Sequence, residues 1–493
     1  MAIRPNILLL LADQLRADWL GSRPDTAETP HLDRLLDRST VFPRAICNGP
    51  VCAPSRASLS AGVYGFRFGS TSNRNAYPLR QPTFYQALRR AGYRVGLAGK
   101  MDLHKPDHYY GRFGDRPEML HLGFTDICET EGKMNAARAR SEPSAGRGRP
   151  AAARYTFHRP DDLAGPYQHY LWERGLLAGF AQDAQPRKES LPVWASAPAV
   201  LPDEAHLDRF IGRAALGLLE RWTGEEPWFL CVSFSGPHDP WDAPASSLER
   251  YAQWVYPQPP PDPMTGKPDW VRRRQARQSA GLTAEALQCV KRHYAANLSV
   301  IDEQVGTILE EVERRGQDGR TVVIFASDHG EMLGDHGLFQ KAIMYEAALR
   351  VPLSVSLPGQ VRPRSNPALV ELVDLHPTIL ECAGLPYLRG ELDGRSMLPL
   401  LAGGDPAAHK TFQFSHLERC RAVCDGRYKL IDHVNGPREL YDLDADPGEL
   451  ENRAEAEPEQ VRRLGAALLR CYRQLRPCDA NDWPEADGEG GDD

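Results

Sequence analysis

Cys52 opens the string Cys52-Ala53-Pro54-Ser55-Arg56, followed by Ala57-Ser58-Leu59-Ser60-Ala61-Gly62, and the proline and serine behind it stand at helix-start spacing. A thiol placed there lies near the positive end of a helix dipole, where an anion or a nucleophile is stabilised. A lone cysteine is more often a small buried apolar residue, so its neighbours decide. Two polar pairs, Asp13-Gln14 and Asp328-His329, each follow an apolar run. Together they offer two carboxylates, an amide oxygen and an imidazole, a set suited to a divalent cation. Singly, an aspartate after a strand is a turn former or a helix cap. Three cations, Arg56, Lys100 and Lys341, lie in or beside these strings, although each alone would read as a solvated surface charge. His238, in Ser235-Gly236-Pro237-His238-Asp239-Pro240, is held close to prolines on both sides, and histidine is the side-chain type most often used as a proton donor. A metal with several fixed cations would stabilise charge developing on the oxygens of an anionic ester.

The elements that must carry these groups are legible as well. Ile7 to Ala12, Arg94 to Ala98, Trp228 to Phe234 and Thr321 to Ala326 are apolar, β-branched runs that predict central parallel strands. Pro82 to Ala91, Leu207 to Trp222 and Leu287 to Arg315 repeat apolar residues at three and four, the period of helices. Alternating strands and helices predict an α/β sandwich, a large mixed, mostly parallel sheet between helices, with its chemistry at the carboxyl ends of the strands. We expect this α/β domain over residues 1–400, with irregular inserts near 135–160 and 256–290. The first insert reads equally as a lid or as disorder. A smaller α+β subdomain is expected over 401–478, where Asp425-Gly426 marks a hairpin and Pro458 to Leu475 a closing helix. Residues 479–493 read as an acidic, flexible tail.

Composition narrows the functional classes. The chain has 493 residues, with 59 Lys+Arg against 66 Asp+Glu, a formal charge of −7. That gives no global attraction for nucleic acid or an anionic membrane. The run Ile7 to Ala12 is far shorter than the roughly 20 residues of a spanning helix, and it lacks the flanks of a signal peptide. Ten cysteines are too few for a disulfide scaffold, so a reducing, cytoplasmic setting is expected.

The Cys52 to Gly62 string resembles the signature of the type I sulfatases of the alkaline phosphatase superfamily, whose cysteine is enzymatically oxidised to formylglycine. Pro5 to Gln14 and Ser327 to Gly334 resemble that family's metal-binding segments, and Pro237-His238-Asp239-Pro240 its Pro-His-x-Pro segment. Arg427 to Leu430 and Glu439 to Glu449 resemble its small subdomain, so the likeness spans nearly the whole chain. The choline sulfatase and phosphonate monoester hydrolase branches look nearest. The C-terminal extension of the choline branch is not recognisable, so choline is not carried over as substrate.

The resemblance implies one divalent ion, calcium first with manganese or magnesium as alternatives, on Asp13, Gln14, Cys52, Asp328 and His329. It implies that Cys52 becomes formylglycine through a formylglycine-generating or anaerobic maturase enzyme. Arg56 would support that nucleophile, Lys100, His238 and Lys341 would bind a small-molecule sulfate ester, and His238 would protonate its leaving oxygen. One position departs from the family: where Gly-Lys-x-His is usual, this chain has Gly99-Lys100-Met101-Asp102-Leu103-His104. Either His104 or Asp102 takes the part of the base, and His104 is preferred for its near-neutral pKa. Three other readings stand beside a sulfatase: a phosphonate monoester or phosphodiester hydrolase of the same fold, a catalytically inactive binding homologue, and a zinc protein using His416, Cys420 and Cys424. Neither nucleic acid nor a membrane is an expected partner, and the oligomeric state is open, a homo-oligomer included.

Overall fold

In the computed structural model, which describes residues 4–23, 25–137, 163–387 and 391–473, the first strand is wholly buried and feeds two cores at once. This strand, β1 (Asn6–Asp13), turns Ile7, Leu9 and Leu11 to one face and Leu8, Leu10 and Ala12 to the other. A strand covered on both faces needs such an unbroken apolar run. The strands that follow are β2 (Thr40–Val41), β3 (Ala45–Ile46), β4 (Arg94–Gly99), β5 (Asp126–Glu129), β6 (Trp228–Pro237), β7 (Thr321–Ser327), β8 (Leu353–Ser356), β9 (Arg364–Ser365) and β10 (Val370–Glu371). Eight of them form one sheet in the order β5-β4-β6-β1-β7-β8-β2-β9, and β3 pairs with β10 apart from it. The five strands from β5 to β7 are parallel, whereas β8 runs antiparallel to both β7 and β2. The expected large, mixed, mostly parallel sheet is therefore the fold.

Helices Leu207–Arg221 and Ala284–Arg314 pack on the Leu8, Leu10 and Ala12 face, through Ile211, Leu218, Leu298 and Ile301 among others. Helices Cys52–Ala61 and Phe84–Arg90 cover the opposite face. Both long helices start within three residues of their expected positions. The second departs from the irregular insert expected over 256–290: only its proline-rich first part is irregular, and Asp269–Gln278 and the chain from Ala284 are helical. Polar residues dominate Asp269–Gln278, which keeps little more than Val271 in the core, so it offers almost no apolar period to read. Most of the other expected insert, residues 138–160, and the expected tail lie outside the described residues.

A second, antiparallel sheet of four strands follows, β11 (Gln413–His416), β12 (Cys420–Cys424), β13 (Tyr428–His433) and β14 (Glu439–Asp442). Asp425-Gly426 makes the turn between β12 and β13, with Gly426 at φ 95°, a conformation glycine adopts without strain. Helix Pro458–Arg473 lays Leu464, Ala467 and Leu468 on Val423, Leu430 and Leu440 of this sheet. Lys267 fastens the sheet to the larger body: its fully buried ammonium donates to the Tyr441 hydroxyl at 2.8 Å and lies 4.3 Å above the Tyr345 ring. Among the described residues no helix is long and apolar enough to cross a membrane.

The central place of β1 yields a stability prediction. Leu10→Ala should remove about 2–5 kcal/mol, since the side chain is fully buried between two helices and one strand layer; chemical denaturation checks it.

Candidate active site

Neighbouring strands end beside one another, and that placement assembles the site. β1 ends on Asp13, Lys100 follows β4, Asp328 follows β7, and β6 runs into His238. A register shift between Leu11 and Asp13 brings Asp13 opposite Pro237. Gly99 has φ 104°, and a Cβ there would lie 1.9 Å from the Ser233 carbonyl oxygen, so only glycine lets β4 turn here. Cys52 is the first residue of helix Cys52–Ala61, whose Ala53 amide donates to the Asn73 side-chain oxygen at 3.1 Å. Pro54 sits in the first turn, where its missing N–H costs nothing.

Asp13, Cys52, Asp328 and His329 present four ligand atoms within 4.8 Å of one another, all buried. The Cys52 Sγ lies 3.2 Å from His329 Nε2 and 3.9 Å from Asp13 Oδ1. His329 Nδ1 donates to the Gly330 carbonyl at 3.0 Å, which leaves Nε2 as the ring nitrogen that faces the carboxylates. Two carboxylate oxygens, an imidazole nitrogen and the side chain at position 52 fit a divalent cation in donor type and spacing.

Arg56 is buried beneath this group and ties it together. Its Nε donates to Asp328 Oδ2 at 2.8 Å, one terminal nitrogen to Asp13 Oδ2 at 3.1 Å, and the other to Ser233 Oγ at 2.7 Å and to the Lys100 carbonyl. Lys100 reaches Asp13 Oδ2 and lies 3.7 Å from the Cys52 Sγ. Burial opposes ionisation of Asp13, yet Lys100, His238 and Arg56 hold its pKa well below the usual carboxylate range. Burial and Asp13 likewise oppose ionisation of the Cys52 thiol, and Lys100, Lys105 and Lys341 outweigh them and bring its pKa down.

A second layer holds the groups that face outward from this centre. Gln14, at φ 68°, accepts from Lys341 Nζ on its side-chain oxygen and donates through Nε2 to Glu331 and, at 3.2 Å, to Asp239 Oδ1. Lys341 also donates to His238 Nε2, and His238 Nδ1 donates to the Asp239 carbonyl at 2.6 Å. Although burial opposes it, His238 and Lys341 bring the Asp239 carboxyl down to about 2.

The structure thus brings together Asp13, Gln14, Cys52, Arg56, Lys100, His238, Asp328, His329 and Lys341. His104, the preferred base, is not among them. Among the described residues no hydrogen bond or ion pair joins it to this group; burial and Arg116 lower its pKa, and its Nε2 is buried without a partner. Asp102 stands there instead, its Oδ2 3.3 Å from Lys100 Nζ and 2.8 Å from Lys105 Nζ. Ser233, Asp239, Glu331, Asn73 and Lys105 are site residues that sequence reasoning missed. Asp239 and Glu331 stood inside quoted strings, whereas Asn73 and Lys105 carried no signal. His416, Cys420 and Cys424 do not gather: the described residues hold one possible metal group, the one above, and His416 Nδ1 meets the Tyr472 hydroxyl.

The same architecture recurs in known proteins. The phosphonate monoester hydrolase from Silicibacter pomeroyi superposes with a TM-score of 0.76 at 24% identity, covering 96% of each chain, and that of Agrobacterium radiobacter with 0.74 at 23%, again covering 96% of each. In sequence, the choline-sulfatase of Rhizobium meliloti (strain 1021) is 29% identical over 96% of this chain and 86% of its own length. The multifunctional alkaline phosphatase superfamily protein PehA of Trinickia caryophylli is 29% identical over 96% of this chain and 94% of its own. The N-sulphoglucosamine sulphohydrolase C-terminal family matches residues 334–474. The Sulfatase family matches residues 5–385, most of the chain, and this protein therefore belongs to the sulfatases, a family of sulfuric ester hydrolases.

Proposed function

We propose that this enzyme hydrolyses a small sulfate ester with a nucleophile made from Cys52 by conversion to formylglycine. The observation that carries the reading is the meeting of Cys52 Sγ with Asp13, His329 and Lys100 in one buried group. A thiolate would attack sulfur once and keep it, whereas the hydrate of an aldehyde has a second hydroxyl through which sulfate can depart. Asp13, Asp328, His329 and the side chain at 52, with Gln14 beside them, would hold a divalent ion that lowers the cost of an oxyanion at that position.

The protein's own groups account for the rest. Arg56 fixes both metal-facing carboxylates and keeps their charge in balance. Lys100, beside Cys52 and Asp13, and Lys341, beside Gln14 and His238, would hold the non-bridging oxygens of the ester. His238, oriented through Nδ1, would deliver a proton from Nε2 to the leaving oxygen when its imidazole is doubly protonated, with Lys341 turned from Nε2 to the ester oxygens. Asp102 keeps Lys100 and Lys105 in place by its charge, which the two lysines stabilise against burial. A phosphonate monoester or phosphodiester is the second reading, suggested by the phosphonate monoester hydrolases that share this fold.

Mass analysis of the Cys52 peptide from protein made beside a maturing enzyme should show an aldehyde in place of the thiol, and Cys52→Ser should lack turnover; an active Cys52→Ser enzyme would sink the reading. Comparing 4-nitrophenyl sulfate with a 4-nitrophenyl phosphonate monoester separates the two substrate classes. Chelation should abolish activity and a divalent ion restore it, and Arg56→Lys should need about 10- to 100-fold more metal for half-restoration, because the guanidinium fork that orients Asp13 and Asp328 is gone. Asp102→Ala should lower kcat/KM by about 100-fold through displaced lysines, while His104→Ala should stay within about threefold of the unaltered enzyme.

A further inference from the structure

We infer that Asp208 is a positioning residue for His238 and so determines how well the leaving oxygen is protonated; the inference rests on the role given to His238 above. His238 lies in a loop, and a loop group can act as a general acid only if something fixes it within hydrogen-bond reach of the departing oxygen. Pro237, immediately before it, has no N–H with which to anchor the chain. The last donors before the histidine are the amides of Ser235 and Gly236, and both go to one oxygen of Asp208, at 2.7 and 3.1 Å.

Asp208 belongs to the first turn of helix Leu207–Arg221 and is fully buried. The helix is capped by His206, whose side chain accepts from the Asp208 amide, so the helix start does not need the Asp208 side chain as a cap. The carboxylate does more than the helix requires: Oδ1 collects two strand amides, while Oδ2 has no hydrogen-bond partner and lies 3.8 Å from His206 Nδ1. The contact has no slack, since a Cβ on Gly236 would fall 2.7 Å from Oδ2. The far end of the loop is held as well, Asp242 by Lys133 at 2.7 Å and the Ala243 amide by His293 Nδ1 at 3.1 Å. Asp208 makes no hydrogen bond or ion pair with Cys52, Asp13, Asp328 or Arg56. Its influence therefore reaches the reaction through the strand that presents His238.

The test compares Asp208→Ala, Asp208→Asn and His238→Ala on 4-nitrophenyl sulfate and on phenyl sulfate, a poorer leaving group of nearly the same shape. His238→Ala should lose about tenfold more kcat/KM on phenyl sulfate than on the nitrophenyl ester, and Asp208→Ala should show the same bias. Asp208→Asn, which keeps a carbonyl oxygen for the two amides, should stay within about threefold of the unaltered enzyme on both esters. In the double variant the bias should not deepen, because both changes remove one function. If Asp208→Ala does not fold, Asp208→Ser is read in its place, since its hydroxyl keeps a small polar group in the first turn but is too short to reach both amides. Equal losses on the two esters for the Asp208 variants, with the bias present in His238→Ala, overturn the positioning role alone. Absence of the bias in His238→Ala itself overturns the acid role and the positioning role with it.

Discussion

Two carboxylates from different strands, Asp13 and Asp328, lie side by side where water does not reach, and the guanidinium of Arg56 lies between them. Removing three charges from water is expensive, and such a cluster persists only when every charge is hydrogen-bonded in good geometry. The planar fork of arginine meets that demand, with donors for both carboxylates, Ser233 and the Lys100 carbonyl at once. A lysine has one nitrogen and could not. Because the fork binds residues of β1 and β6 and the residues just after β4 and β7, it also sets how those strands sit relative to one another. Arg56 itself is placed by helix Cys52–Ala61, four residues after Cys52, so one turn of helix delivers both the Cys52 side chain and the cation that ties the two carboxylates.

The parts legible in the sequence are those with a short physical reason. Ile7 to Ala12 and Thr321 to Ala326 are unbroken apolar runs because both faces of their strands are covered, and polar residues at their ends stood out against them. Cys52 to Arg56 carried a recognisable pattern on one helical turn. Between His104 and Asp102 the sequence could not choose, because spacing along the chain does not reveal backbone handedness. Asp102 adopts φ 58°, a left-handed conformation that aspartate tolerates, and that turn aims its carboxylate at Lys100. Two residues on, the His104 carbonyl accepts from Arg116 at 3.0 Å. Lys105 was unreadable for the same reason, since its relation to the site exists only after the turn at Asp102.

The outward-facing layer was hidden for another reason: its members are ordinary polar residues until their partners are known. Gln14, Glu331, Asp239 and Gln340 form a closed set in which Glu331 accepts from the Gln14 amide and the Gln340 backbone, and Asp239 from both glutamine side chains. Each amide has one arrangement that satisfies all its neighbours, so the network fixes which atom of Gln14 faces Lys341. Sequence can nominate Gln14 as an oxygen donor. Only the network says that this oxygen is engaged by Lys341 and that Gln14 joins the metal group to the cation beside His238.

The loop that carries Lys341 depends in turn on contacts far from the chemistry. Between Asp328 and Lys341 the chain passes through left-handed residues at Leu333, His336 and Gln340, and it closes on itself where the Met332 amide donates to the Gln340 carbonyl at 2.9 Å and the Gly334 amide to the Leu338 carbonyl at 2.8 Å. His336 is fixed by Asp262 from the proline-rich segment and stacks against Tyr345, while Arg16 grips Asp335 from the segment just after β1. Asp262 and Tyr345 also surround the buried ammonium of Lys267, which reaches Tyr441 on the second sheet. The small antiparallel sheet is therefore tied into the same cluster of charges and rings that braces the Lys341 loop. Loosening that cluster would displace a cation of the pocket without altering any residue in it, which gives the second sheet a physical part in the chemistry of the first.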